Sequence, residues 1–326
     1  MNEWDLIDKI KKSTDRDHGP AGSLLTGIGD DCAVFSIGGG LRGLITTDIS
    51  IEGVHFDLRF SSPSDIGYKA MISNISDIAA MGGKALYAFI SLGIPPHLDE
   101  TCVLSLYKGF DEACSGLGMS IAGGDLSRAA ELVINIAIYG EAASPLLRAG
   151  AKPGDTVYVT GTLGDSKAGL ETIYNNDSDK KTYPVLVKKH LRPERRIDFI
   201  PGILKNYHPS AMIDISDGLL SDLRHICAAS NTGFLLDAES IPRSEELQQF
   251  CRDKGLDTLD FALKSGEEYE LLFTSAHAPG AIEAAENGIA VTSIGTITDS
   301  DYRIKKHERT EEIRIEGFEH FSNRGS

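Results

Sequence analysis

Aspartate at the end of an apolar run, or beside glycine, recurs along this chain. Thr46-Thr47-Asp48 closes the run that begins at Leu44, and Asp30-Asp31 follow Gly27-Ile28-Gly29. Asp77 sits in Asn74-Ile75-Ser76-Asp77-Ile78, Asp125 follows Gly123-Gly124, and Asp214 and Asp217 share Ile213-Asp214-Ile215-Ser216-Asp217-Gly218. One such aspartate has an ordinary explanation as a helix cap or turn residue. A lone carboxylate in an apolar setting is costly to desolvate, and several brought together repel one another unless a cation lies between them. Oxygen-only ligands select hard cations, Mg2+ above all. The recurrence therefore reads as an acid-lined, metal-dependent phosphate site.

Other polar groups could join it. Gly161-Thr162-Leu163-Gly164-Asp165-Ser166 follows a strand-like run and could offer backbone amides to a phosphate, although many strand-to-helix turns carry two glycines for structural reasons. His55 lies just beyond Thr46-Thr47-Asp48, after Glu52-Gly53. Arg148 stands at a glycine-rich junction, where it could hold phosphate or pair with a carboxylate. Ser265-Gly266-Glu267-Glu268-Tyr269-Glu270 places three acids before an apolar strand. The sequence has no Gly-x-x-x-x-Gly-Lys-Ser/Thr loop, no Gly-x-Ser-x-Gly elbow and no recognisable Ser-His-Asp order.

The elements that must position these groups can be read from the pattern. Residues 5–12 form a short amphipathic helix and 13–27 a loop. Asp31–Ile37 and Leu41–Asp48 are strands joined by Gly38-Gly39-Gly40. Pro63-Ser64-Asp65 starts a helix that runs to Met81 and stops at Gly82-Gly83. On it Lys69, Ser73 and Asp77 are four apart and share one face. Strands follow at Ala85–Leu92, Ser120–Ala122 and Leu132–Tyr139, with a helix from Asp99 to Leu117 between the first two. Beyond the turn-rich Arg148–Asp155, strands are expected at Thr156–Thr160, Ala211–Ile215, Phe234–Asp237, Tyr269–Thr274 and Ile289–Ile297. Helices are expected at Lys167–Tyr174, Gly218–Ser230, Ser244–Lys254 and Pro279–Asn287, and a loop at 175–182. The alternation suits an α/β domain. The fold class is thus α+β to α/β in two domains, 1–147 and 148–326.

The chain has 326 residues, 41% of them hydrophobic, which is enough for large cores. Its 48 acidic against 32 basic residues give a net charge of −16, a surface that does not attract nucleic acid or anionic lipid. The five scattered cysteines include no Cys-x-x-Cys pair and point to reduced thiols rather than a disulfide framework or zinc site. No run approaches the ~18 apolar residues of a membrane span. The acidic start lacks the features of a signal peptide, so a cytoplasmic location is expected.

Taken together, the blocks resemble the thiamine-monophosphate kinase family, of the superfamily that includes aminoimidazole ribonucleotide synthetase. Those that carry the resemblance are Gly29–Val34, Thr46–Asp48 with Glu52–Phe56, Asn74–Gly82, Gly123–Asp125, Gly161–Ser166, Ile213–Leu219, Ser265–Leu271 and the closing Gly317–Phe321. The resemblance implies ATP-dependent phosphorylation of thiamine monophosphate to thiamine diphosphate, with several Mg2+ ions and direct in-line transfer. By matched position, Asp30, Thr46, Thr47, Asp48, Asp77, Asp125, Asp214 and Asp217 would serve the metals. Tyr107, Gly124, Asp125, Arg148 and Ser216 would contact the nucleotide, and His55, Glu267 and Phe318 the thiamine. It also implies a homodimer whose N-terminal sheets form one barrel. Three positions depart from the family pattern: Cys32 for Ala, Glu268 for Asp and Phe318 for Tyr. An amidine-forming or selenophosphate synthetase is the alternative. The latter wants a reactive Cys near a glycine-rich N-terminal segment, whereas Cys32 lies inside the Asp-Asp block.

Overall fold

The computed structural model describes residues 3–14, 23–175, 177–278 and 288–313. In chain order the first half runs α1 (Glu3–Thr14), β1 (Leu24–Thr26), β2 (Ala33–Gly38), β3 (Leu41–Ile51), α2 (Pro63–Ala80), β4 (Lys84–Ile94), α3 (Glu100–Cys114), β5 (Ser120–Arg128) and β6 (Val133–Ala142). The second half runs β7 (Thr156–Thr160), α4 (Asp165–Asn175), α5 (Asp177–Thr182), α6 (Pro184–Leu191), α7 (Ile200–Tyr207), β8 (Ala211–Asp214), α8 (Leu219–Ser230), β9 (Gly233–Asp237), α9 (Glu245–Lys254), α10 (Thr258–Lys264), β10 (Leu271–Ser275), β11 (Val291–Thr298), β12 (Tyr302–Lys306) and β13 (Arg309–Glu312).

The strands form two mixed sheets, ordered β1-β2-β3-β6-β4-β5 and β13-β12-β9-β11-β7-β10-β8. Alternation along β3, β4 and β6 sends Leu44, Ala88, Ile90, Ile136 and Ile138 inward, where they are buried beneath α2 and α3. Helix α2 starts as its sequence requires, with Ser62 accepting from the Asp65 amide and proline in the first turn. Its core is not confined to one face. Met71, Ile75 and Ile78 pack in a cluster that also takes in Tyr158, Ile203, Tyr207, Met212, Leu271 and Phe273 from the second half. α2 is thus enclosed between the two sheets, and the residues it carries face both domains.

Three expectations need correction. Residues 177–182 are helical rather than a loop, because Lys254 of α9 pairs with Asp179 at 2.8 Å and the Tyr183 amide bonds the Asp179 carbonyl. β5 continues past Gly123-Gly124 instead of stopping at Ala122, since those glycines let the strand lie against β4. A Cβ on Gly124 would stand 1.8 Å from the Ile90 carbonyl oxygen. Helices α6, α7 and α10 have no counterpart in the sequence reading; they are short, and tertiary contacts support them, including the Leu186 amide of α6 donating to Glu246 Oε2 at 2.8 Å. The helix expected at Pro279–Asn287 lies outside the described residues, as does Phe318. Among the described residues no helix is long and apolar enough to cross a membrane.

Candidate active site

The carboxylates meet where α2 is pressed between the sheets. Strand alternation turns Thr46 and Asp48 of β3 toward α2. There the Thr46 hydroxyl donates to Asp77 Oδ2 at 2.5 Å, and Asn74 Oδ1 accepts the Asp48 amide at 3.1 Å. From the other domain Asp214 ends β8, and Ser76 of α2 donates to its Oδ2 at 2.7 Å. Carboxylate oxygens of Asp31, Asp77 and Asp214 all lie within 4.8 Å of one another. Asp31 Oδ2 is buried and has no hydrogen-bond partner.

Crowding and burial raise these acids together. Burial, then the neighbouring Asp31 charge, pushes Asp214 up to about 8, with the Ser76 hydroxyl pulling back. Asp77 is driven well above the carboxylate range by burial and by Asp48, Asp214 and Asp31. Asp30 rises to about 6 through burial and Asp31. Asp48 rises for the same reasons against the Ser73 hydroxyl. Such a group of acids is poised to exchange protons for a divalent cation. Arg148 supplies one compensating charge: its Nε and Nη2 reach Asp31 Oδ1 at 3.1 and 2.5 Å, and its amide donates to Asp30. That is the ion-pair alternative for this arginine.

A second group adjoins the first. The amides of Ser216, Asp217 and Gly218 all donate to Asp222 Oδ2 at 3.0–3.2 Å, and Asp217, Asp222 and His225 bring ligand atoms within 4.8 Å of one another. Asp222 was not anticipated. The only signal was its place in the first turn of α8, five residues after Asp217. Asp31 was likewise overshadowed by its neighbour, although Asp31 rather than Asp30 completes the triad with Asp77 and Asp214.

The loop 265–270 closes the site. Glu267 and Tyr269 both take left-handed backbone angles (φ 55° and 53°), uncommon for residues with side chains. Lys69 pairs with Glu267 at 2.8 Å, and His190 Nε2 lies 3.3 Å from the same ammonium. Burial opposes ionisation of Glu267, but the Lys69 ammonium beside it holds its carboxyl below the usual range. His55 Nδ1 accepts the Ile51 amide at 3.1 Å, which ties the ring to the end of β3. Glu270 is buried against Lys189, Arg196 and Thr160.

Several expected residues are placed elsewhere. Thr47 turns its hydroxyl to the opposite face of β3, where it accepts from Asn135 at 3.2 Å. Asp125 pairs in register with Ser91 on the edge strand β5, exposed and three strands from β3. Gly124 adjoins it, and Tyr107 sits on α3, edge-on to Phe110. Ser216 is exposed beside Asp217. The Gly161–Ser166 turn does not cradle a phosphate with the amides of Gly164 and Ser166, because both donate to Glu268 Oε1 at 2.8 and 3.1 Å. Glu268, the departure from Asp, is thus a helix cap for α4, pushed up to about 7 by burial.

Known proteins resemble this chain in both sequence and fold. Residues 29–142 match the AIR synthase related protein N-terminal domain, and residues 152–306 its C-terminal domain. Proteins named thiamine-monophosphate kinase from Aquifex aeolicus and Bacillus subtilis are 38% and 34% identical to this chain, over 84% and 98% of it and 86% and 100% of their own lengths. The solved structure described as AaThiL complexed with AMPPCP and TMP superposes with a TM-score of 0.86 at 34% identity, covering 98% of this chain and 97% of that one. The hydrogenase maturation protein HypE in complex with ATP shares the fold at 17% identity, with a TM-score of 0.66 and 95% and 90% of the two chains covered. The two mixed-sheet domains and the carboxylate-lined seam between them define an AIR synthase related protein. Within that group, the chain belongs to the thiamine-monophosphate kinase family.

Proposed function

We propose that the chain transfers the γ-phosphoryl group of ATP directly to thiamine monophosphate, giving thiamine diphosphate. The observation that carries this reading is the near full-length match to a relative described with AMPPCP and TMP, joined to a seam of buried carboxylates with spare acceptor capacity. The donor set suits Mg2+: oxygen atoms only, three carboxylates converging, and one buried oxygen lacking a hydrogen-bond partner. Asp31, Asp48, Asp77 and Asp214 would hold such ions, with Asp30 and Thr46 beside them and Asp217 and Asp222 in the adjoining group. Bound Mg2+ would neutralise the repulsion between two anionic reactants and stabilise charge on the transferring group. The acceptor phosphate is already ionised near neutral pH, so the protein's task is alignment, and no strong general base is required. Arg148 and Ser216 are assigned to the nucleotide, and His55, Glu267 and Phe318 to the thiamine.

The same reading includes a homodimer. On the outward face of the first sheet Ile45, Ile49, Tyr87 and Phe89 are each 42–50% exposed, and Tyr139 stacks on Tyr87. This apolar face also carries Thr47 and the register row of Asp125, so a second copy closing the barrel would cover them. Roles for Thr47, Asp125, Gly124 and Tyr107 at the metals and nucleotide belong to that assembly. We place the domain boundary at 147/148 and the protein in the cytoplasm, consistent with five free cysteines. A selenophosphate synthetase is disfavoured: Cys32 is buried, and burial and four nearby aspartates push its thiol well up, away from the reactive thiolate. The test is turnover of ATP and thiamine monophosphate to thiamine diphosphate, followed by chromatography. Activity is expected in Mg2+, lost with EDTA, and reduced at least 100-fold in Asp48→Asn with the fold retained. Absence of product from the wild-type protein overturns the reading.

A further inference from the structure

A cavity of about 760 Å³ opens on the seam between the two halves, beyond the C-terminal end of α2. Small-molecule pockets run to roughly 300–1,000 Å³. The first half contributes the turn from α2 into β4 and the chain that leaves β6; the second contributes α7 and the residues around it. The walls are apolar. Ala85, Ala142 and Ile200 are buried, and Leu117, Leu146 and Leu204 half-buried. Gly82 turns here at φ 66°, and a Cβ on it would meet Leu204 and Leu146 at 3.6 and 3.7 Å, so its bare backbone forms part of the wall. The charged groups stand at the rim. Lys84 is exposed, and among the described residues it pairs with no carboxylate. Its register partner across β4 and β6 is Glu141, but that carboxylate accepts from the Tyr139 hydroxyl at 2.8 Å, along its own strand. His208 ends α7 in a left-handed turn and brings an imidazole to the same rim.

We propose that this cavity binds a small amphiphilic anion: its apolar chain enters between α7 and the start of β4, and its single carboxylate stays at the rim against the Lys84 ammonium, beside His208. The class follows from wall chemistry and charge. Hydrocarbon walls take a hydrocarbon body, since a polar one would lose its hydrogen bonds to water there. With a net charge of −16 the protein repels anions at long range, and a cation that no carboxylate neutralises is where one can be held. Contact at the rim leaves the carboxylate hydrated and gives it a charge-assisted hydrogen bond, without the cost of burying an ion pair. Because both halves line the cavity, a molecule seated in it binds the folded arrangement and not the unfolded chain, and so stabilises the fold by mass action. The site is separate from the carboxylate cluster, where Asp77 turns to Thr46 one turn before the end of α2. None of the lining residues is assigned to phosphoryl transfer, so the site stands whether or not that reading does.

Decanoate is the probe, and decanol, of the same length but uncharged, is its control. Calorimetry on the full chain is expected to show saturable binding of a single decanoate, with decanol several-fold weaker. Lys84→Glu is expected to weaken decanoate roughly tenfold and to leave decanol within about twofold of wild type. Leu204→Trp, which fills the space between α7 and Gly82, is expected to abolish binding of both. Decanoate should also raise the Tm of the wild type more than that of Lys84→Glu. Three results each overturn the proposal: no saturable decanoate binding, decanol bound as tightly as decanoate, or undiminished decanoate binding in Lys84→Glu. Decanoate binding that survives Leu204→Trp places the molecule elsewhere and overturns it too. A sedimenting mass that falls on adding decanoate means that a second copy of the chain occupies the groove, which also overturns it. Should Leu204→Trp fail to fold, Lys84→Glu, changed only at the surface, still decides.

Discussion

His190 illustrates how far one side chain can depart from its solution behaviour. Burial, with the Lys69 charge beside it, lowers its pKa from 6.5 to about 3. The folded pKa lies below the unfolded one, so the native state binds fewer protons between these values. The contribution is present in full above pH 6.5 and lost as pH falls through that window. At pH 5 the loss from this residue is about 2 kcal/mol, at ~1.4 kcal/mol per pH unit. Urea unfolding at pH 7.5 and pH 5 should show the wild type losing about 2 kcal/mol more than His190→Gln. The carboxylates titrate in both proteins and cancel in the comparison. Equal losses would mean that the imidazole is protonated in the folded protein.

At the scale of elements, the site depends on how closely α2 and α3 cross. A Cβ on Gly109 would stand 2.0 Å from the Ser64 carbonyl oxygen, and one on Gly67 would stand 2.2 Å from that of Leu106. Glycine inside a helix costs roughly 0.5–1 kcal/mol relative to alanine, so alanine would be favoured here were the backbones not in contact. Gly109→Ala should therefore destabilise by about 2–3 kcal/mol through overpacking. Because α2 carries Lys69, Ser73, Asn74, Ser76 and Asp77, displacing it should also lower kcat. Denaturant midpoints and steady-state rates check this; a more stable, fully active variant would contradict the crossing.

For the whole molecule, an outward sheet face bearing Ile45, Ile49, Tyr87 and Phe89 has the apolar character expected of the dimer interface proposed above. Sedimentation at micromolar concentration should give about 70 kDa, twice the 35.1 kDa chain. Phe89→Glu combined with Ile49→Glu should halve that mass, since paired charges on facing sheets cannot be buried. It should also abolish activity if Asp125 or Thr47 serves the site from the dimer. A wild-type monomer would rule out the assembly.

The sequence by itself determined the elements with a strong local signal and the residues at their ends. Pro63-Ser64-Asp65 starts α2, Thr156–Thr160 is β7 as read, and Lys69, Ser73 and Asp77 do share one face. The aspartates were legible because a carboxylate at an apolar strand end needs a partner wherever it is. Which of them converge was not legible. Asp31, Asp77 and Asp214 come from the segment before β2, from α2 and from β8, and only the enclosure of α2 between two sheets brings them within ligand distance. Asp31 took its place over Asp30 by pairing with Arg148 from 117 residues away, and Asp222 by accepting three amides of its own turn. The amides of Gly164 and Ser166 went to Glu268, about a hundred residues on, rather than to a phosphate. Helix α6 had no periodicity long enough to announce itself, yet it delivers Lys189 and His190. Spacing along the chain sets the face a side chain takes on its own helix or strand. Which face meets which is set by burial of the shared core, and that depends on all the elements at once.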